Sequence, residues 1–310
     1  MELVKYKPKT IVVIDQAETP LNNLKIEVVN LTKDQDFKAV VCDIRNKIQL
    51  NYLFNLYKPN IIYHCAACKH VSLMEENPFE AVSVNIEGTK TLSDLAVKFN
   101  VDRFIMVSTD KAVNPISVMG VTKYLAELYL RALQQRNLKT KFMITRFGNV
   151  LGSNGSVIPL FRKQIEERIP LTITHAEATR FFISVDEVCK LILESSHIGN
   201  GGELFIFDMG KPIKVVDLAK RLIASYGLLK NEIKIDYIGL RAGEKLHEEL
   251  FCTDSKIINT TNPRVFKIYK KESSFNEVKP IVEEIIETSK NYNLLILIEK
   301  IKHLIPHYPV

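Results

Sequence analysis

The chain has 310 residues, enough for one large α/β domain, or such a domain with a smaller lobe, around an ample core. Its formal charge of +6 is spread along the sequence rather than clustered, which favours anionic small molecules slightly and gives nucleic acid almost nothing to hold. No apolar run reaches the roughly 18 residues of a membrane span. The N-terminus lacks the apolar core and cleavage site of a signal peptide, so a cytoplasmic protein without a membrane span is expected. Five cysteines, Cys42, Cys65, Cys68, Cys189 and Cys252, are an odd number scattered through apolar patterns and fit buried thiols in a reducing compartment. Cys65 and Cys68 form a lone Cys-x-x-Cys pair without histidine partners, so no metal is expected.

In chain order, short apolar runs alternate with helical patterns, the signature of βαβ units and a doubly wound parallel sheet. Strands are predicted at Thr10–Ile14, Ala39–Cys42, Ile61–His64, Phe104–Val107 and Phe142–Thr145. Helices are predicted near Pro20–Val29, Gln49–Tyr57, Pro78–Phe99, Val121–Gln135 and Pro159–Glu167. Beyond residue 170, strands near Leu171–Thr174 and Glu232–Tyr237 accompany helices near Val185–Ser196 and Val215–Ser225, and Leu294–Ile298 opens an amphipathic helix. No internal repeat or low-complexity segment interrupts the pattern.

Chemistry in open α/β sheets sits beyond the carboxyl ends of the strands. The predicted strand Phe104–Val107 delivers Ser108, Thr109, Asp110 and Lys111 to that end, and Lys123 follows on the next helix. A carboxylate beside an ammonium, with a second lysine nearby, can form an acid/base cluster; the same residues can equally form a solvated Asp-Lys turn and an ordinary surface lysine. Asp15 ends the run Ile-Val-Val-Ile-Asp, where a carboxylate can accept hydrogen bonds from ribose hydroxyls and disfavour a 2′-phosphate, or can simply cap a turn. Small residues at Ala66 and Ala67 would let a ligand approach the backbone, and Lys69 and His70 follow at the rim. The Gly152–Gly155 loop after Asn149 exposes backbone amides of the kind that bind phosphate.

Ser-Thr-Asp-Lys-Ala-Val-Asn-Pro (108–115) with Met-Gly-Val-Thr-Lys (119–123) resembles the active-site segment of the extended short-chain dehydrogenases/reductases. More narrowly it resembles the UDP-N-acetylglucosamine 4,6-dehydratase branch, which makes sugars for capsules, O-antigens and protein glycans. Segments 63–89, 145–161, 170–182, 206–219, 239–250 and 304–309 match that branch in order, so the resemblance runs nearly end to end. It implies residues 1–170 as an NAD-binding Rossmann-like domain and 171–310 as mainly a nucleotide-sugar lobe interleaved with the main sheet. It further implies NAD as cofactor, a UDP-sugar as substrate and a homo-oligomer.

For the cofactor, the resemblance implies contacts from Asp15, Asp43, Ile44, Ala66, Ala67, Lys69, Asn85 and Lys123. For the substrate it implies His70, Asn149, Ser156, Val157, Arg180, Arg241 and Glu244, with the arginines set against the diphosphate because their planar fork matches phosphate oxygens. The implied reaction oxidises the sugar at the 4-position, removes the 5-proton, expels water from the 6-position and returns the hydride there. Asp110 would protonate the leaving hydroxyl and Lys111 would take the 5-proton, which calls for a depressed pKa. Thr109 would hold the 4-oxygen, and Lys123 would orient the nicotinamide ribose. Typical short-chain dehydrogenases carry tyrosine where this chain has Met119, and a thioether cannot exchange a proton. Dehydratases of this branch tolerate that methionine, whereas epimerases and simple reductases need the phenol.

One piece of the family pattern is missing. The branch opens with a strand and a glycine-rich loop whose amides meet the cofactor pyrophosphate at a helix N-terminus, but no glycine precedes Gly88 here. The absent strand belongs between the predicted strands Thr10–Ile14 and Ile61–His64. The 310 residues alone are therefore expected to be unstable, or to fill that slot with another segment or a partner, and to hold NAD weakly. Two alternatives stand beside the dehydratase reading: an inactive truncated homologue unable to bind NAD, and a nucleotide-sugar 4-epimerase or reductase.

Overall fold

Alternation along three strands organises the molecule. In Arg103–Thr109, Phe104 and Met106 enter one apolar core while Ile105 enters another on the opposite face. Phe142 and Ile144 part from Met143 in the same way, as do Leu204 and Ile206 from Phe205 and Phe207. Successive side chains of a strand point to opposite faces, so runs apolar at every position are buried on both. The computed structural model describes residues 1–32, 34–136, 139–229, 232–269 and 273–309.

In chain order the first half comprises β1 (Thr10–Asp15), α1 (Glu18–Leu31), β2 (Asp36–Val41), α2 (Lys47–Tyr57), β3 (Ile61–His64), α3 (Val71–Glu76), α4 (Pro78–Val82), α5 (Thr89–Lys98), β4 (Arg103–Thr109), α6 (Val118–Gln134), β5 (Lys141–Phe147) and β6 (Asn149–Val150). Then come α7 (Val157–Glu166), β7 (Leu171–Ile173), β8 (Thr179–Arg180), β9 (Phe182–Ile183), α8 (Val185–Ile198), β10 (Leu204–Phe207), β11 (Ile213–Lys214), α9 (Val215–Ser225) and β12 (Ile235–Tyr237). The chain closes with β13 (Lys256–Asn259), β14 (Val265–Tyr269), α10 (Phe275–Lys290) and α11 (Leu294–Leu304).

The main sheet has the order β13-β14-β10-β5-β4-β3, parallel from β3 through β10 and antiparallel at β14 and β13. It is the parallel α/β sheet that the alternating pattern predicts. β1 and β2 form a separate parallel pair. Among the described residues, no strand pairs with the far edge of β1 or the outer edge of β3. Exposure follows: Ile61 on β3 is 46% exposed and Ile11–Ile14 are only partly buried, whereas Phe104 and Ile105 on β4 are at 0%.

A smaller core joins α7, α9 and the β7–β12 pair through Phe161, Ile165, Leu171, Ile173, Val216 and Ile223. Three strands and three helices after residue 170 nevertheless build the main sheet and its flanks: β10, β13 and β14, with Val188 and Leu191 of α8, Val282 and Ile285 of α10, and Leu297 and Ile301 of α11 in the two main cores. No helix among the described residues is long and apolar enough to cross a membrane.

Three sequence expectations change. The single helix predicted over Pro78–Phe99 is α4, a wider π-helical stretch at Ser83–Gly88, then α5. Gly88 there packs so tightly on Ile44 that an added Cβ would lie 2.4 Å from its Cδ1. Helix α6 starts at Val118 rather than near Val121, because the Ser117 side chain accepts the Gly120 N–H at 3.1 Å and caps it earlier. Glu75 also accepts the Val118 N–H and the Tyr308 hydroxyl, which ties the chain's last residues to this helix start. Finally, only Cys42 is buried; Cys65 is exposed and Cys68, Cys189 and Cys252 are intermediate, because their positions fall on loops and half-covered faces rather than in the core.

Candidate active site

β4 ends at Thr109, and the chain turns at once through a short 3-10 turn, Asp110–Ala112. The turn aims Asp110 inward, where its side chain is 0% exposed. Asp110 Oδ1 accepts the Thr109 hydroxyl at 2.8 Å and the Lys111 ammonium at 3.0 Å. Asp110 Oδ2 has no hydrogen-bond partner among the described residues. Gly148, just after β5, leaves room beside that oxygen: an added Cβ would stand 3.1 Å from it and 2.8 Å from the Phe181 carbonyl.

A second carboxylate arrives from far along the sequence. Glu248 is buried, with Oε1 3.2 Å from Lys111 Nζ and Oε2 unpartnered. Its segment lies over the Asp110 turn, since Lys245 donates to the Val113 carbonyl at 2.6 Å and Asn114 to Glu249 at 3.1 Å. Burial pulls the Lys111 pKa down, but Asp110 and Glu248 together outweigh it and hold the ammonium above its ordinary value. The depressed Lys111 expected from sequence is therefore reversed. Arg180, a cationic neighbour, does not offset the two carboxylates.

Lys123 behaves in the opposite way. It is 5% exposed on α6, with Nζ donating to the Val107 carbonyl at 2.8 Å. Burial brings its pKa down to about 8, although Glu127 and Cys65 work against that. Glu127, one turn along, is locked to Arg146 at 2.5 Å and accepts the Ser108 hydroxyl at 2.5 Å, which pins the carboxyl ends of β4 and β5 to α6. Met119 is 2% exposed within the main core and offers no proton.

Two further groups surround this centre. At the rim, Lys69 donates to the Asn154 carbonyl at 2.7 Å, and Gly155 sits where an added Cβ would meet the His70 ring at 2.5 Å, so Lys69, His70 and the glycine loop come together. Ser156, at the start of α7 beside Val157, has a buried hydroxyl without a partner, and Asn149 is half-buried on β6. In the smaller lobe, Glu244 accepts from Arg180 at 2.7 Å and from Thr174 at 2.8 Å, while Arg241 is exposed.

Whether these residues suit NAD differs along the cofactor's length. Asp15 is exposed at the end of β1 with Oδ1 taken by the Ala17 N–H at 2.8 Å, the turn-capping alternative, and its other oxygen remains for a ligand. Asp43, beside Ile44, is clasped by Arg45, whose guanidinium holds the carboxyl below its usual range. Asn85, on the π-helical stretch, bonds the Cys68 N–H and carbonyl and the Thr122 hydroxyl, and so fixes the loop carrying Ala66 and Ala67. These residues and Lys123 fit the adenosine and nicotinamide-ribose ends. For the pyrophosphate, no glycine-rich turn lies between β1 and β3 among the described residues. Sequence reasoning missed Glu248, Gly148, Arg45 and the Glu127–Arg146 pair; all but Arg45, which clasps Asp43 two residues away, matter through a partner distant in sequence and so carry no local signal.

The chain is similar to several characterised proteins. It is 41% identical over 295 residues to the capsular polysaccharide biosynthesis protein CapD of Staphylococcus aureus, covering 95% of this chain and 49% of CapD, so the chain spans about half the length of that relative. A UDP-N-acetylglucosamine 4,6-dehydratase (inverting) of Campylobacter jejuni is 35% identical over 255 residues, covering 81% of this chain and 72% of that protein. A UDP-glucose 4-epimerase of Rickettsia bellii is 35% identical over 250 residues, covering 79% and 71%. Among solved structures, Pen from Bacillus thuringiensis superimposes with a TM-score of 0.78 at 31% identity over 92% of each chain. The family model described as polysaccharide biosynthesis protein matches residues 1–270. On that match and the CapD identity, the chain belongs to the polysaccharide biosynthesis protein family, built on the Rossmann-like fold of the extended short-chain dehydrogenases/reductases.

Proposed function

We propose that the protein is a nucleotide-sugar 4,6-dehydratase acting on UDP-N-acetylglucosamine or a close analogue, in the synthesis of a surface polysaccharide or glycan. One observation carries the reading: a buried Asp110 carboxylate with an unpartnered oxygen pairs with the partly exposed Lys111 at the end of β4, while the position expected to hold a phenol is Met119, sunk in the core. An elimination needs the acid–lysine pair, and a 4-epimerase needs the phenol that is absent.

NAD, when bound, supplies the hydride acceptor. The chain's own residues do the rest. The Thr109 hydroxyl donates to Asp110, so the sugar 4-hydroxyl donates in turn to Thr109 Oγ and its proton is relayed through Thr109 to Asp110, which becomes the acid for the later step. Lys123 orients the nicotinamide ribose, and with its pKa near 8 it is cationic at neutral pH. Asp110 Oδ2 is directed at the leaving 6-hydroxyl. Lys111 takes the 5-proton only after it has released its own proton to solvent, which becomes possible once Asp110 is protonated and no longer pairs with it, because in the free enzyme the two carboxylates hold that proton on. Arg180, Arg241 and Glu244 hold the diphosphate and uridine ribose, and His70, Asn149, Ser156 and Val157 line the sugar.

Incubation of the purified chain with NAD and UDP-N-acetylglucosamine in heavy water tests this. The expected product is lighter by one water and carries solvent deuterium at the 5-position; Asp110→Asn and Lys111→Ala abolish it while substrate binding persists. Formation of only the 4-epimer, or full turnover in both variants, would refute the assignment.

A further inference from the structure

The Asp110–Lys111 cluster contains a third charged group that the family resemblance did not single out. Glu248 is 2% exposed at its side chain and reaches Lys111 at 3.2 Å, nearly as close as Asp110 at 3.0 Å. A bland explanation would make it a counter-charge for Arg180. Arg180 shares that charge only at longer range: its Nε stands 4.0 Å from Glu248 Oε1, an ion-pair distance without a hydrogen bond, while its Nη2 donates to Glu244 at 2.7 Å, so Lys111 at 3.2 Å is the nearer cation on Glu248. Glu248 Oε2 accepts nothing in the chain, although a buried carboxylate oxygen left without a donor is costly. Asp110 Oδ2 shares that condition on the other side of the same ammonium. Two carboxylates that grip one lysine and each keep an oxygen unpartnered form a cluster prepared for a further donor, such as a sugar hydroxyl.

We infer that Glu248 is a positioning residue for Lys111, holding the amine in place when Asp110 turns to the substrate. The inference rests on the dehydratase reading for its catalytic meaning and on geometry alone for the Lys111 contact. Groups facing Lys111 are Asp110 from the turn after β4, Glu248 from the 239–250 segment and Arg180 from β8, the last opposing the two carboxylates. In the free enzyme both carboxylates bind Lys111, so losing one leaves the amine paired. Once Asp110 is engaged with the leaving hydroxyl, Glu248 is the remaining anion on Lys111 and sets how readily it takes and gives up a proton.

The test is competitive acetylation of the full chain across pH, with modification of Lys111 read by peptide mass spectrometry. In the unaltered chain the Lys111 midpoint should lie above that of solvent-exposed lysines. Glu248→Gln preserves shape and should lower that midpoint by about one pH unit, a tenfold change in amine basicity, and Glu248→Asp should restore part of it. Turnover of UDP-N-acetylglucosamine should fall at least about tenfold in kcat with little change in KM, as expected of a residue that acts on the chemical step. An unchanged midpoint in Glu248→Gln overturns the inference, as does a Lys111 midpoint at or below that of exposed lysines in the unaltered chain. A lowered midpoint with unchanged kcat overturns the positioning role. Labelling needs no turnover, so a chain that fails to dehydrate the sugar yet shows the shift would refute the dehydratase reading and leave the Lys111 contact standing.

Discussion

Glu127→Gln probes the joint on which the site is built. Glu127 and Arg146 are 4% and 5% exposed at their side chains and meet at 2.5 Å, with a second contact at 3.2 Å from Arg146 Nε. Glutamine keeps the shape but replaces one acceptor oxygen with a donor, so either the guanidinium or Ser108 faces an amide N–H where it had an acceptor. Arg146 stays charged and buried, with only a long 3.4 Å contact to the Leu250 carbonyl left besides. Removing one partner of a buried pair costs about 3–5 kcal/mol, a large share of the roughly 5–15 kcal/mol of a typical domain. With a urea slope of about 3 kcal/mol per molar, the unfolding midpoint should fall by about 1–1.7 M. Replacing both residues with apolar ones of similar volume, Glu127→Leu with Arg146→Met, should recover most of the loss. Glu127 also holds the Lys123 pKa up, so the single variant should lower it further below about 8. A single variant within about 1 kcal/mol of the native chain, or a double variant no better than the single, would refute the reasoning.

Gly148→Ala should cost about 1–3 kcal/mol of stability by overpacking and reduce dehydration, because the methyl meets the Phe181 carbonyl at 2.8 Å and Asp110 Oδ2 at 3.1 Å; denaturant titration with a turnover assay reads both effects. Met119→Leu should leave stability within about 1.5 kcal/mol and keep most turnover, since one apolar side chain of similar volume replaces another; loss of turnover by orders of magnitude would show that the thioether does more than pack. His64 is buried with Nε2 2.8 Å from the Thr89 hydroxyl, and burial brings its pKa down to about 3. Between that value and the unfolded value near 6.5 the unfolded chain binds the extra proton, so stability is full above about pH 6.5 and is lost as pH falls toward 3. The loss at pH 4.5 is about 2–3 kcal/mol, and His64→Gln, which keeps an N–H for Thr89, should flatten that slope in urea titrations at several pH values.

Much of this protein was legible in the chain itself. Phe104–Val107 is apolar at every position and Phe142–Thr145 at all but its last, the pattern of strands buried on both faces, and they stand within two residues of β4 and β5. The order of short strands and amphipathic helices sufficed for a parallel α/β sheet, because period and length are local properties. The Asp110–Lys111 pair was visible for the same reason, its members being neighbours in sequence.

What escaped depends on partners far apart. Ser117 starts α6 three residues early, since a cap competes with loop signals in a way that periodicity does not register. The wide turn at Ser83–Gly88 and the grip of Asn85 on residue 68 and Thr122 have no periodic mark. The raised Lys111 reflects Asp110 together with Glu248, the latter 137 positions along the chain (248 − 111), because Coulomb attraction depends on distance in space alone. Sequence placed an ammonium beside one carboxylate; tertiary structure closed a second over it, and the two together move the lysine against the direction that burial alone would give.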